Sequence, residues 1–313
     1  MSRQIFSMTR RSNMVIYPTT AVEGIAQMVL EHFFHEGVEN TCVIINSLFD
    51  YDQFKSKGYR IIHYNLEHKY PLNGKCPLHN GQNWEDYYKP FIDKSDEIWD
   101  FNIENYDYYN ENGYGDKFVF VPLRYTSWFE QFIVPYSPRF ELQFEGVFDT
   151  EFRLKCLSQI THPIIIKDGI AQYVEGEELK FKLTNTLVSR DRFLEKQDSK
   201  FCLDIPHYNQ PETINVVRIF ENTCLNRQTI VYDEYNIGSR EYYGNIPIYI
   251  DSLDKTFLLN LIRNTQPKLN TANTFKEMSY SPESYQKLRE RIKQDFERII
   301  QREIPDSVLK NLD

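Results

Sequence analysis

Short apolar runs alternate with stretches of helical periodicity along the first third of the chain. MVIY, TCVIIN, YRIIHYN, DEIWDFN and KFVFVP each read as a strand, and AVEGIAQMVLEHFF, EDYYKPFI and ENYDYYNENG intervene as helical segments between Asn13 and Pro122. Strands separated by helices predict a parallel sheet wrapped by helices. Within 20–36, Val22, Ile25, Ala26, Val29, Leu30 and Phe33 recur on one helical face. Thr19 and Thr20 stand where an N-cap belongs, and Gly37 where the helix must end.

The rhythm breaks at 123–138, LRYTSWFEQFIVPYSP, and resumes with FELQFEG, DTEFRLKCLSQI, HPIIIKD, KFCLDIP, TIVYD and IPIYI. We therefore expect a first α/β domain over 1–138 and a second over 139–280. The segment 281–313 opens as a strong helix: Ser281 caps it, Pro282 takes its first position, and Tyr285, Leu288, Ile292, Phe296 and Ile299 form one apolar stripe. The fold class expected is α/β, with two Rossmann-like domains.

Composition narrows the function classes. The chain has 313 residues, 41% apolar, with a net charge of −9. That is enough for two cores, and the acidity disfavours a generic nucleic-acid binder without excluding a local basic groove. Arg3, Arg10 and Arg11 form the dense basic cluster near the N-terminus and read as a solvated arm. No run of eighteen apolar residues occurs, and MSRQIFSMTRRSN lacks the apolar centre of a signal peptide, so the expected location is cytoplasmic, without a membrane span. The five cysteines are scattered and mostly lie in apolar patterns, as expected of small buried side chains in a reducing compartment. Cys76-Pro-Leu-His79 is a single metal-like spacing without a second pair, so no metal site is expected. PTTAVEG supplies only Gly24 after the first strand, which does not support a dinucleotide fingerprint there.

The most informative stretch is KFCLDIPHYNQPETINVVRIFENTCLNRQTIVYD, from Lys200 to Asp233. It reads as strand, polar loop, helix and strand. Val216, Val217, Phe220 and Cys224 can face a sheet, which leaves Arg218 and Glu221 together on a neighbouring face. The plain reading of that pair is an exposed intrahelical ion pair worth a few tenths of a kcal/mol.

This string resembles the donor-site segment of GT-B glycosyltransferases, particularly bacterial and phage-type enzymes, in its strand, H/Y-Y loop, R-x-x-E helix and closing strand. Further matches run in order along about 41–232: Tyr64-Asn65-Leu66-Glu67, then Asp96-Glu97-Ile98-Trp99-Asp100-Phe101-Asn102, then Val121-Pro122-Leu123-Arg124-Tyr125, then the Phe144-Glu145-Gly146 turn followed by Arg153. The chain departs from the family at Arg124, where a glycine is usual, and at Cys224-Leu225-Asn226, where Asn226 can replace a glycine cap.

The resemblance implies two Rossmann-like domains facing across a cleft and a C-terminal helix that crosses back to the first domain; a surface helix on its own domain is the plain alternative. It implies transfer of a sugar from a nucleoside diphosphate sugar, the co-substrate, to an acceptor hydroxyl, with no cofactor and no metal. The acceptor is a glycan or small molecule, and a hydroxymethylated base in phage DNA stays open. The alternative is a catalytically degenerate binding or assembly protein. Donor-binding positions are then Gly146, Lys167, His207, Tyr208, Thr213, Arg218 and Glu221, with Arg218 on the diphosphate and Glu221 accepting from ribose hydroxyls. Arg124 and Tyr125 line the cleft, and Glu67 or His68 acts as general base. The loop before the helix at 213 also favours an anion on physical grounds, because unpaired amides and the helix dipole converge there. Trp99 and Trp128 are expected to be packing residues.

Overall fold

The computed structural model describes residues 6–45, 51–66, 75–76, 82–146, 151–160, 165–167, 170–172, 179–184, 190–206, 216–233, 243–280 and 303–312, with scattered residues between 283 and 297. The chain divides into two compact units, one of residues 1–126 with 279–313 and one of 127–278.

The strands of the first unit are β1 (Phe6–Arg10), β2 (Asn13–Tyr17), β3 (Thr41–Ile45), β4 (Arg60–Asn65), β5 (Lys75–Cys76), β6 (Gln82–Asn83), β7 (Glu97–Asp100) and β8 (Phe118–Phe120). Its helices are α1 (Glu23–His32), α2 (Tyr51–Lys55), α3 (Trp84–Lys94) and α4 (Tyr106–Glu111). Six of the strands form one sheet in the order β1-β2-β3-β4-β7-β8. Only β1 runs antiparallel to its neighbour. Burial on both faces explains the near-continuous apolar runs: Cys42, Val43, Ile44 and Ile45 of β3 are all fully buried. Cys42 and Ile44 pack with Ile16, Ile61, Tyr51 and Phe54. Thr19 caps as expected, accepting from Ala21 N at 3.2 Å, but a 3-10 turn over Thr20–Val22 intervenes before α1. Trp99 is buried against Phe33 and Tyr64, with ring centroids 4.8 and 5.9 Å away.

In the second unit the strands are β9 (Phe140–Glu145), β10 (Ile165–Lys167), β11 (Ile170–Gln172), β12 (Phe181–Thr184), β13 (Ser199–Asp204), β14 (Thr229–Tyr232) and β15 (Ile248–Ile250). The helices are α5 (Glu151–Ile160), α6 (Asp191–Glu195) and α7 (Val216–Cys224), followed by those at Lys255–Asn264 and Thr271–Tyr280. Five strands form a wholly parallel sheet in the order β12-β9-β13-β14-β15. By chain order this is 2-1-3-4-5, so the direction of sheet growth reverses between β9 and β13. Leu142, Phe144, Phe201, Leu203 and Ile205 face one side, where they form a core with Leu157 and Ile160 of α5 and with Leu258 and Ile262. The alternate positions Gln143, Glu145, Cys202 and Asp204 share the opposite side because side chains alternate along a strand.

One expectation shifts. The crossing expected near 138 lies at 126, because 127–138 packs into the second unit: Trp128 and Phe129 stand 5.5 and 5.3 Å from Phe193, and Val134 N donates to Gln197 Oε1 at 3.0 Å. Trp128 is thus a packing residue. At the other end, 279–313 belongs to the first unit, where Phe120 N donates to Val308 O at 2.8 Å and Tyr125 N to Ser279 Oγ at 3.1 Å. Cys42, Cys156, Cys202 and Cys224 are free and buried. Among the described residues no helix is long and apolar enough to cross a membrane.

Candidate functional site

In an open parallel sheet, ligands bind outside the carboxyl ends of the strands at the point where strand order reverses. In the second unit that point lies at the ends of β9 and β13, and the expected Arg218 and Gly146 both stand there. Arg218 leaves the first described turn of α7, and its guanidinium carbon lies 5.4 Å from the centroid of the Phe144 ring. Its Nη1 donates to Asp204 Oδ1 at the end of β13. The side chain of Arg218 is 12% exposed and that of Asp204 fully buried. This is not the exposed pairing with Glu221 that spacing alone suggested. A buried carboxylate anchors the guanidinium from the sheet side.

Gly146 has a specific steric reason. A Cβ there would stand 2.8 Å from Phe144 Cζ and 3.1 Å from Arg218 Nη2. The missing side chain therefore lets ring and guanidinium close over the strand end.

Arg153, in the first turn of α5, approaches the same ring at 5.5 Å. Its Nε donates to Ile205 O and Pro206 O, each at 3.2 Å, and its Nη2 to Ile205 O at 3.1 Å. Those acceptors are the final carbonyls of the β13 run. Helices α5 and α7 follow the first and third strands of the sheet and pack on its opposite sides. Each sends an arginine from its first turn to Phe144. Among the described residues, Arg218 and Arg153 thus meet Asp204 and Glu145 at the reversal.

Glu221 departs from its expected role. It is 3% exposed, and both its oxygens are engaged, Oε1 by Arg192 Nη2 and Oε2 by Lys196 Nζ at 2.7 Å. Burial would raise its pKa, but the charges of Arg192, Lys196 and Arg218, with the Lys196 hydrogen bond, outweigh it and hold the carboxyl below its usual range. Glu221 therefore serves as the internal counter-ion of two buried cations. Lys196 also lies 3.4 Å from Glu145.

Lys167 ends β10, which pairs antiparallel with β11 in a two-stranded hairpin and not in the parallel sheet. Tyr125 is 2% exposed in the first unit, with its carbonyl oxygen 2.6 Å from His32 Nε2, and so offers no cleft surface. Arg124 donates to Asn311 O and lies over Phe33 at 5.1 Å, tying the C-terminal segment down. Glu67, His68, His207, Tyr208 and Thr213 lie outside the described residues.

Sequence reasoning missed Asp204, Arg153 as a second cation, and the Arg192–Lys196 pair. A signal was present: Gln143, Glu145 and Asp204 put polar groups on one side of the two central strands, which an apolar sheet covering would not tolerate. In the first unit it also missed the chemistry of Asp100 at the end of β7. Asp100 is fully buried and accepts from Asn65 Nδ2 at 2.8 Å, Asn102 N at 2.8 Å, Asn105 Nδ2 at 2.9 Å and Tyr109 OH at 3.3 Å. Burial raises its pKa to about 7 against those hydrogen bonds, which pull it down. Asp100 knots the end of β4 to that of β7 and has no exposed surface. Among the described residues no group of three or more His, Cys, Asp or Glu could hold a metal.

No protein-family model matches the chain, and no curated protein matches it in sequence. Among solved structures it is similar to T4 phage BGT in complex with UDP and Mn2+, with a TM-score of 0.41 and 10% identity over 81% of this chain and 83% of that one. It is also similar to a DNA modifying enzyme described as β-glucosyltransferase, at 0.44 and 11% over 90% and 92% of the two chains. A third is HepE of Anabaena in complex with UDP and glucose, at 0.43 and 10% over 83% and 77%. All three scores lie below 0.5, and the two α/β units with their mostly parallel sheets rest on the chain's own strands and helices.

Proposed function

We propose that the chain is a glycosyltransferase of the GT-B type, which moves a sugar from a nucleoside diphosphate sugar to an acceptor hydroxyl. The observation that carries this reading is the convergence of Arg218 and Arg153 on Phe144 at the strand-order reversal. A diphosphate placed there meets a guanidinium already fixed by Asp204. In the reaction the acceptor oxygen attacks the anomeric carbon while the bond to the diphosphate oxygen breaks. Negative charge grows on the leaving diphosphate, and Arg218 stabilises it most at that moment. The acceptor proton passes to a general base, for which Glu67 and His68 are proposed. Glu221 holds Arg192 and Lys196 beneath the helix and does not touch the donor.

The acceptor is proposed to be a glycan, a small molecule or a hydroxymethylated base in DNA. No metal takes part in the step, so chelation leaves the rate unchanged.

The test is a panel of sugar nucleotides scored by thermal shift and by slow release of nucleoside diphosphate. One donor is expected to raise the unfolding midpoint and to be hydrolysed, and Arg218→Ala to abolish both effects. Normal donor binding in Arg218→Ala overturns the site. Binding without release or transfer in the wild type favours the non-catalytic binding protein, and no shift with any donor overturns both readings.

A further inference from the structure

Beside Arg218, on the polar side of the five-stranded sheet, lies a small pocket of about 10 Å³, bordered by Gln143, Glu145, Lys196, Cys202, Leu203, Arg218 and Asn222. Three of these side chains carry polar atoms that no hydrogen bond satisfies among the described residues. Gln143, 2% exposed, has neither Nε2 nor Oε1 paired, and Glu145 Oε2 and Asn222 Oδ1 are likewise unpaired. Glu145 Oε2 stands 3.4 Å from Lys196 Nζ, a charge contact without hydrogen-bond geometry. The amide nitrogen of Asn222 is engaged by Thr229 Oγ1 at 3.1 Å, so its oxygen alone is left over.

Four polar atoms around one space are costly, because each has lost water without gaining a hydrogen bond. The chemistry of the lining decides what fills it. One donor and three acceptors are unmet, which suits a molecule that both donates and accepts. A cation would sit beside Lys196 and Arg218, and an anion beside Glu145 and two amide oxygens. A volume of about 10 Å³ has room for about one water and for no nucleotide.

We propose that this chamber holds one ordered water, shared among the unpaired groups of Gln143, Glu145 and Asn222. Asp204 fixes the guanidinium from the sheet beside the chamber.

The sign of one substitution tests this in the full chain. Gln143→Met replaces the amide with an apolar side chain of similar length. If the chamber is wet, the variant strips the water of its Gln143 partner, and the thermal midpoint falls by about 2–4 °C, the shift expected of a modest loss in a unit of this size. If the chamber is dry, the wild type carries an unpaired amide whose removal stabilises, so an unchanged or raised midpoint overturns the proposal. A crystal structure of the wild type that shows solvent gives a second reading, independent of whether the variant folds. Density within hydrogen-bond distance of both Gln143 and Asn222 supports the chamber. An empty space, or a Gln143 amide turned onto a protein partner, overturns it. Neither measurement uses a nucleotide, so the glycosyltransferase reading stands or falls separately.

Discussion

In the middle and at the carboxyl ends of their central strands the two units treat buried ionisable groups in opposite ways, whereas at the amino end of β7 the first unit pairs Glu97 with Arg60 and Lys310. In the first, the parallel strands follow chain order as β2-β3-β4-β7-β8, and the groups buried in the middle and at the end of adjacent strands are quietened by shifts in pKa. His63 in β4 is fully buried, with Nδ1 2.8 Å from Tyr51 OH, and burial lowers its pKa to about 4, so it is neutral. Asp100, surrounded by amides and a tyrosine, is pushed up to about 7. In the second, strand order reverses, and the buried groups keep their charge by pairing: Asp204 with Arg218, and Glu221 with Arg192 and Lys196. Charge retained at the end of a reversed sheet can act on a ligand. A group neutralised inside a sequential sheet can only hold the fold.

The sharpest way to break this contrast is to remove the carboxylate of Glu221. Glu221→Leu leaves Arg192 and Lys196 buried, with Glu145 beside Lys196 among the described residues, and should destabilise the protein by about 3–5 kcal/mol in urea unfolding. A loss below about 1 kcal/mol, typical of exposed pairs, would show that the network is solvated.

The first unit is tested by pH. His63 titrates at 6.5 when unfolded and about 4 when folded, so its contribution is complete above 6.5 and is lost as pH falls toward 4. Asp100 moves from 3.8 to about 7, so its contribution is complete below 3.8 and is lost as pH rises through 7. These shifts correspond to ~3 and ~4 kcal/mol of opposite sign over overlapping windows. Wild-type stability should therefore change little with pH from these two groups between about 4 and 6.5. In Asp100→Asn the histidine contribution is uncovered, and the difference profile against wild type should rise by ~4 kcal/mol between pH 4 and 7. A flat difference profile would mean that Asp100 titrates near its ordinary value.

A smaller effect is expected at the strand end. Gly146→Ala puts a methyl against Phe144 and Arg218, and should cost about 1–3 kcal/mol while weakening donor binding. Unchanged stability with unchanged binding would show that the ring and guanidinium need not close over this residue. Smallest is the end of α7, where Asn226 has φ 58°, Arg227 N donates to Asn222 O at 2.8 Å, and Asn226 Oδ1 accepts from Ala272 N at 3.0 Å. Asn226→Ala forfeits both the left-handed tolerance and that bond, and a loss of about 1 kcal/mol is expected in the same urea assay.

The left-handed cap at Asn226 and the helix Val216–Cys224 were legible in the sequence, as were the two runs of alternating strands and helices, because periodicity and turn chemistry are local. Arg218 and Gly146 could be marked as important for the same reason: one follows a strand and a polar loop, the other ends a strand. Their partners could not. Asp204 looks like any acidic residue that closes a strand, Arg153 like any charge in a first turn, and Glu221 like half of a surface pair three residues from Arg218. Only the order β12-β9-β13 brings α5 and α7 to one phenyl ring from opposite sides, and only the helix laid over Gln143, Glu145 and Asp204 turns a polar strand face into a buried one. Strand order and coverage depend on contacts between segments far apart in the chain, where burial decides whether a charge is shifted, paired or left to solvent. Residue spacing fixed what each segment is; which charges must find a partner was settled when the segments packed.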